Sequence, residues 1–439
     1  MEALPGPGRG LRAHPARGVV GPPSPAGSRS DDAMTAEVSV HFVHPGNPFS
    51  QEPDGIVSVQ RNFVQAAPHP FRFTYWGVRR LGVAEPLGAS RLRFHPVAGS
   101  PSQRPRVPVS LRFAAAMRSA SRRIDEGILR FDRIESAVPF LRSPLPKALF
   151  LHVWELSDVT SPRSDSRWRG FGVPYGWLLR RVIRSMDRVY LLRPELAADL
   201  PGLTPQILQR VRPFGVPVDP SMFRPLDEDE RLAARHRLAA RLGTEPATPI
   251  VLFAGRLESV KRPLVIPEIA AATGRLAPPP HFLVAGTGGL RDGLVESATR
   301  LAPGRVHVLG GVPQSELAEL LAAADACLLP SGFEALPNVA LEALACGTPV
   351  VASSTCGALA DLLDHGAVGE VAGPDPRSFA DAIGRVLGRS GDLSKACRQV
   401  AEGLAPGKVN AEIYEDFRSL MPAPATSGSP RAERAAPPR

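Results

Sequence analysis

Residues 326–352 read ACLLPSGFEALPNVALEALACGTPVVA, and this stretch limits the fold more than any other part of the chain. A short apolar run at Cys327, Leu328 and Leu329 has the length of a buried strand, and a loop follows. Pro337 stands where the first turn of a helix tolerates a missing N–H. Gly347 supplies a residue able to turn left-handed after the helix, Pro349 blocks its continuation, and Val350 and Val351 begin another buried strand. Strand, short helix and strand make half of a parallel α/β unit. Two carboxylates, Glu334 and Glu342, fall on either side of the helix start.

That placement has chemical consequences. Backbone N–H groups around Asn338 and Val339 face out of the helix start, where the helix dipole favours an anion such as phosphate. Glu342 lies one turn deeper on the face of Asn338, with its side chain leaning back toward the N-terminus. An ionised carboxylate only accepts hydrogen bonds, so it suits two neighbouring hydroxyls, as on a ribose. Glu334, in the loop, serves the other end of the pocket, meeting a sugar hydroxyl or orienting a departing phosphate. Two glutamates at this distance are common by chance. Their setting between strand, loop, Pro-started helix and Gly-Thr-Pro is not.

Glu334, seven residues and Glu342, inside GFEALPNVALEALACGTPVV, resemble the double-glutamate signature of retaining GT-B fold glycosyltransferases, most closely glycosyltransferase family 4. The resemblance runs through nearly all of residues 36–421, strongly in the second half and loosely in the first. It implies two doubly wound parallel-sheet, Rossmann-like α/β domains facing a cleft. It also implies transfer, with retention, of a sugar from a nucleoside-diphosphate sugar (UDP- or GDP-linked) to a hydroxyl of a glycan, lipid or small molecule, as in polysaccharide biosynthesis.

At 439 residues the chain is long for one core and suggests two or three domains. The expected division is an extension at 1–33, an acceptor-binding domain at 34–215, a nucleotide-sugar-binding domain at 216–405, a helix at 406–421 packing back on the first domain, and a tail at 422–439. Both termini are Pro, Ala, Ser, Gly and Arg with few large apolar side chains, which predicts disorder. Met34, just before the first strand-like segment, favours an over-extended gene start. No run reaches the eighteen or so apolar residues of a membrane span. Cys327, Cys346, Cys356 and Cys397 form no metal-ligand pattern and read as reduced packing residues of a cytoplasmic protein.

The net charge of +9 is unevenly spread: residues 61–215 hold 26 Arg and Lys against 11 Asp and Glu, while 216–421 hold 19 against 25. A basic first half suits an anionic membrane face, an acidic acceptor, or mere arginine bias. Nucleic acid is disfavoured, because the arginines are scattered and lack a binding motif with interleaved aromatics.

In chain order, strands are expected at 38–43, 71–76, 92–95, 128–131 and 188–192, with helices at 57–67 and 111–123. Their alternation argues for a parallel sheet covered on both faces. The first loop, HPGNPFSQEPDGI, matches the family's cleft loop at Gly46 and Gly55 but has Asp54 where a second glycine is usual. KALFLHVWE is a further strand ending at His152, a ligand-crevice position by geometry, which the resemblance implies contacts the acceptor or the reacting sugar. A hydrogen-bonded strand-end histidine without chemistry explains it equally. SDSRWRGFGVPYGW reads as an acceptor-side loop, and VRPFGVPVDPSMFRP as the hinge, with Phe214 replacing the family's asparagine.

PIVLFAGRLESVKRP opens the second domain with a strand, a loop and a helix started by Pro263. Gly255 lets the backbone approach a ligand, and Arg256 and Lys261 are two cations fit for a diphosphate, the first as a planar fork, the second as a point charge. The family carries an Arg and a Lys at this spacing, implied to neutralise the leaving diphosphate. HFLVAGTGGLRD holds a strand and a Gly turn at Gly286, Gly288 and Gly289 that does not fit GxGxxG. The family's base-holding loop matches Gly310 to Pro313, which makes Val312 a base contact.

No metal cluster or cofactor is expected, since two protein cations can replace Mg²⁺. Two other readings stay open. An epimerase of the same fold would isomerise a UDP-sugar with no acceptor present. A non-catalytic binder of anionic polymer or membrane would bind without turnover.

Overall fold

The computed structural model describes residues 37–50, 55–79, 83, 91–99, 109–152, 170–192, 197, 204–334, 336–363 and 366–421. The expected extension and tail, Met34 and Asp54 lie outside these. Two parallel sheets organise the chain. The first runs β3-β2-β1-β4-β5-β6-β7, from β1 (Val38–Val43), β2 (Phe71–Arg79), β3 (Leu92–Gly99), β4 (Ile128–Phe131), β5 (Lys147–Leu151), β6 (Arg188–Leu191) and β7 (Val211–Pro213). The second runs β10-β9-β8-β11-β12-β13, from β8 (Ile250–Ala254), β9 (His281–Ala285), β10 (Val306–Gly310), β11 (Ala326–Leu329), β12 (Val350–Ser353) and β13 (Gly369–Ala372).

Strand pairing within each sheet is parallel, so both faces need helices, and the strands are near-continuous apolar runs. All five residues of β8 are buried, as are all four of β11 and of β12. Strand order reverses between β1 and β4 and again between β8 and β11. Ligands of doubly wound sheets bind outside the carboxyl ends of such strands.

Local chemistry ends the elements. Asp227 and Glu230 form a capping box at the start of the solvated Glu228–Leu242 helix, which Gly243 closes at φ 68°. Gly347, at φ 79°, takes the left-handed turn after the Asn338–Ala345 helix. The Pro406–Leu420 helix returns to the first sheet, burying Ile413, Tyr414 and Phe417 among Phe63, Phe71 and Phe150. Tyr414 Oη donates to the Phe63 carbonyl at 2.6 Å, and Asp416 accepts from Arg188 Nε (2.7 Å) and Tyr190 Oη (2.6 Å). Gly215 in the connector lies against this helix, and a Cβ there would sit 2.9 Å from Val409 Cγ1.

Three expectations need correction. Pro337 is the N-cap in extended conformation, and the helix begins at Asn338; the Pro337 carbonyl accepts the first bond, from Ala340 N at 3.0 Å. Pro263 opens only a 3₁₀ turn after another at Ser259–Lys261, and the α-helix proper is Ile266–Ala272. The second half of the segment read as a loop is the start of the Gly172–Arg184 helix, because Leu179, Val182 and Ile183 form a buried stripe that outweighs Pro174 and Gly176.

Candidate active site

The loop after β8 and the loop after β11 dock on each other. Gly332 N donates to the Val260 carbonyl at 2.8 Å, and Arg262, left-handed at φ 50°, sends its side chain to the Pro374 carbonyl at 2.9 Å. Thr355 Oγ1 ties down the Ser331 carbonyl at 2.9 Å. This docking sets Lys261 Nζ in an ion pair with Glu334 Oε1, which also accepts from Ser331 Oγ at 3.4 Å. The two side chains are 16% and 17% exposed. Burial, with the Arg256 charge adding to it, pushes the Lys261 ammonium down to about 8, against smaller upward pulls from Cys356 and Glu258.

Arg256 itself is turned to Glu258, which the sequence reading did not single out, and is more than half exposed. It therefore stands near Lys261 but is not locked onto the helix start. The glycine turn after β9 supports this loop. Cβ atoms on Gly286 and Gly288 would lie 1.8 Å from the Gly255 carbonyl oxygen and 2.4 Å from the Leu257 carbonyl oxygen, so these glycines serve close backbone packing. Gly255 is bonded through its N–H to the Ala285 carbonyl, and a Cβ there would approach Lys261 Cε at 3.9 Å.

Asn338 and Glu342 share a cavity of about 90 Å³ with Ser58, Arg61 and Asn62 of the Gly55–Ala66 helix and with the connector at Val216–Asp219. It does not include Arg256, Lys261 or Glu334. Burial raises the Glu342 carboxyl to about 7. Asn338 Nδ2 donates to the Gly55 carbonyl at 3.1 Å, and Gln314 Nε2 reaches Ser58 Oγ at 3.5 Å, so the two halves meet at both helix starts. Ligand clefts typically hold roughly 300–1,000 Å³, so the cavity as it stands is too small for a ligand of nucleotide size. Val312 and Val339 pack partly buried against the second core. Gly46 is a packing glycine whose Cβ would meet Val57 Cγ2 at 2.7 Å, and its carbonyl accepts from Val78 N.

His152 lies past β5 in the first half, apart from these groups, with Nε2 2.8 Å from Asp132 Oδ1. Asp132, Arg130 and Gln60 were missed by the sequence reading. The signal for Asp132 was its position directly after β4, the same crevice criterion that picked His152. Among the described residues no group of three or more His, Cys, Asp or Glu is placed to hold a metal ion.

Residues 248–389 match the family model described as "Glycosyl transferases group 1". The chain is 34% identical over 218 residues to a D-inositol 3-phosphate glycosyltransferase of Nocardia farcinica, covering 48% of this chain and 47% of that protein. It is 33% identical over 254 residues to one from Xylanimonas cellulosilytica, covering 55% and 60%. The chain thus spans about half the length of the curated relatives it matches. Among solved structures, sucrose-phosphate synthase from Thermosynechococcus elongatus aligns with a TM-score of 0.70 at 20% identity, covering 88% and 99% of the two chains. HepE from Anabaena in complex with UDP aligns with a TM-score of 0.64 at 18% identity, covering 87% and 100%. With the two parallel sheets above, these neighbours show the GT-B fold.

Proposed function

With residues 248–389 forming a Glycosyl transferases group 1 domain as the premise, we propose that the chain is a retaining, metal-independent glycosyltransferase using a UDP- or GDP-sugar. One observation carries this reading: the docked loops hold the cation Lys261 against the carboxylate Glu334 where the strand order of the second sheet reverses. Sugar departure leaves negative charge on a diphosphate and an oxocarbenium-like ring. In the proposed complex the diphosphate takes over Lys261 and draws Arg256 from Glu258, each charge-assisted bond contributing about 1.5–3 kcal/mol. Glu334, released, accepts from the sugar hydroxyls.

The amides of Asn338 and Val339 hold phosphate, Glu342 anchors the ribose, and the backbone at Val312 meets the base. Gly55 and Gly255 keep backbone close to the ligand, while Gly46 serves packing. His152 faces the acceptor side. The acceptor is a glycan, a lipid or a small molecule, and the names of the relatives place a phosphorylated cyclitol among those to try. No separate cofactor is required.

Thermal stabilisation by UDP-, GDP- and ADP-sugars identifies the donor. Proton NMR of the product then reads the anomeric configuration, with EDTA present and absent. The reading expects stabilisation by one donor class, a retained configuration and turnover indifferent to EDTA. No donor-dependent shift and no product would overturn it.

A peripheral contact with an anionic, cytoplasmic membrane face belongs to the same proposal. No helix among the described residues is long and apolar enough to cross a membrane. The Gly172–Arg184 helix instead exposes Val173 (87%) and Trp177 (63%), with Phe171 (57%) just before it and Arg180, Arg181 and Arg184 beside them. Co-flotation with phosphatidylglycerol vesicles that is lost in Trp177→Ala supports the contact; equal recovery with neutral phosphatidylcholine vesicles refutes it.

A further inference from the structure

The first sheet holds a charged cluster that the proposed donor chemistry does not use. Arg130 and Asp132 leave β4 with side chains 1% and 0% exposed. The guanidinium lies 3.7 Å from the Phe150 ring centroid and 4.7 Å from that of Phe63. Asp132 Oδ1 takes hydrogen bonds from Arg130 Nη2 (3.2 Å) and contacts His152 Nε2 (2.8 Å), while Oδ2 accepts from Gln60 Nε2 (2.6 Å) and Arg130 Nε (3.4 Å). Burial opposes the charge on Asp132, but the Arg130 charge, the His152 contact and His44 outweigh it and hold the carboxyl far below the usual range.

An ionised carboxylate has no proton to donate, so the hydrogen in the Asp132–His152 contact sits on Nε2. The neutral ring then carries its lone pair on Nδ1. The ring is 13% exposed and edge-on to Phe214 of the connector, at 5.2 Å between centroids. Building on the transferase reading, we infer that Asp132, steadied by Arg130 and Gln60, is a positioning residue that locks His152 as the Nε2–H tautomer, so that Nδ1 accepts a hydrogen bond from a hydroxyl of the acceptor or of the transferring sugar. Asp132, directly after β4, touches His152, and Arg130 from β4 and His44 from the segment after β1 act on the same carboxylate. Protonation of Nδ1 abolishes the acceptor, so the tautomer decides whether the ring can take that bond.

The test pairs two readouts. Nitrogen-15 NMR of the labelled protein, with His152→Gln for assignment, gives the tautomer of His152; kinetics with the donor found above give kcat and KM. In the wild type Nε2 is expected to be protonated. Asp132→Asn should let the ring populate the Nδ1–H form and lower kcat about tenfold or more at unchanged donor KM. Should that variant misfold around its unpaired arginine, Arg130→Met/Asp132→Asn removes both charges and is read the same way. A wild-type ring protonated on Nδ1, or a kcat unchanged in Asp132→Asn while the tautomer switches, overturns the inference and leaves the transferase reading standing. Absence of turnover with every donor overturns both.

Discussion

The side-chain amide of Asn338 donates to the Gly55 carbonyl at 3.1 Å, joining the first residue of one helix in the second half to the first residue of one in the first half. Asn338 also lines the cavity between the two halves, where the proposed nucleotide would enter. Asn338→Ala should therefore loosen the ligand-free protein, raising its radius of gyration by small-angle scattering while lowering unfolding free energy by only about 0.5–1.5 kcal/mol. An unchanged scattering curve would show that the contact does not hold the halves together.

Glu334→Gln keeps the shape of the Lys261 partner and removes its charge. Turnover is expected to fall about 100-fold or more. On the proposed reading donor affinity should hold or improve, because a diphosphate would no longer compete with a carboxylate for Lys261. A parallel loss of affinity measured by calorimetry would reassign Glu334 to donor binding.

Glu342 carries a pH signature. Its carboxyl titrates near 7 in the fold against an ordinary value of 4.5, so the native state binds the extra proton between those limits. Stability should fall as pH rises through that window and level off above 7, by on the order of 2 kcal/mol after allowing for water in the cavity. Glu342→Gln should flatten the slope and be more stable than the wild type above pH 7. If the ionised form holds the ribose, nucleotide binding weakens below pH 7 and releases a proton there, which calorimetry in buffers of different ionisation enthalpy detects.

Asp416 fastens the returning helix through Arg188 and Tyr190. Asp416→Ala strands both donors, Tyr190 being fully buried, and should cost about 1–3 kcal/mol in urea denaturation. Phe417→Ala, at a fully buried position, should cost about 3–5 kcal/mol.

Strands were readable in the sequence because a parallel sheet covered on both faces demands apolar runs, a local signal. The expected bounds of β1 and β4 coincide with those found. The Gly347 turn was readable for a similar reason, since its left-handed conformation belongs to one residue. Side-chain partners were not. Lys261 meets Glu334 across 73 positions, Asn338 meets Gly55 across 283, and Asp132 meets His152 across 20. Those meetings depend on which strands become neighbours and how two loops dock, and a residue carries no mark of what crossover connections bring beside it. Hence composition and periodicity determined the layered α/β architecture and which residues lie near strand ends. Only the folded chain decided that Arg256 turns to Glu258, that Pro337 stops one residue short of its helix, and that a buried Asp132 comes within hydrogen-bond distance of His152.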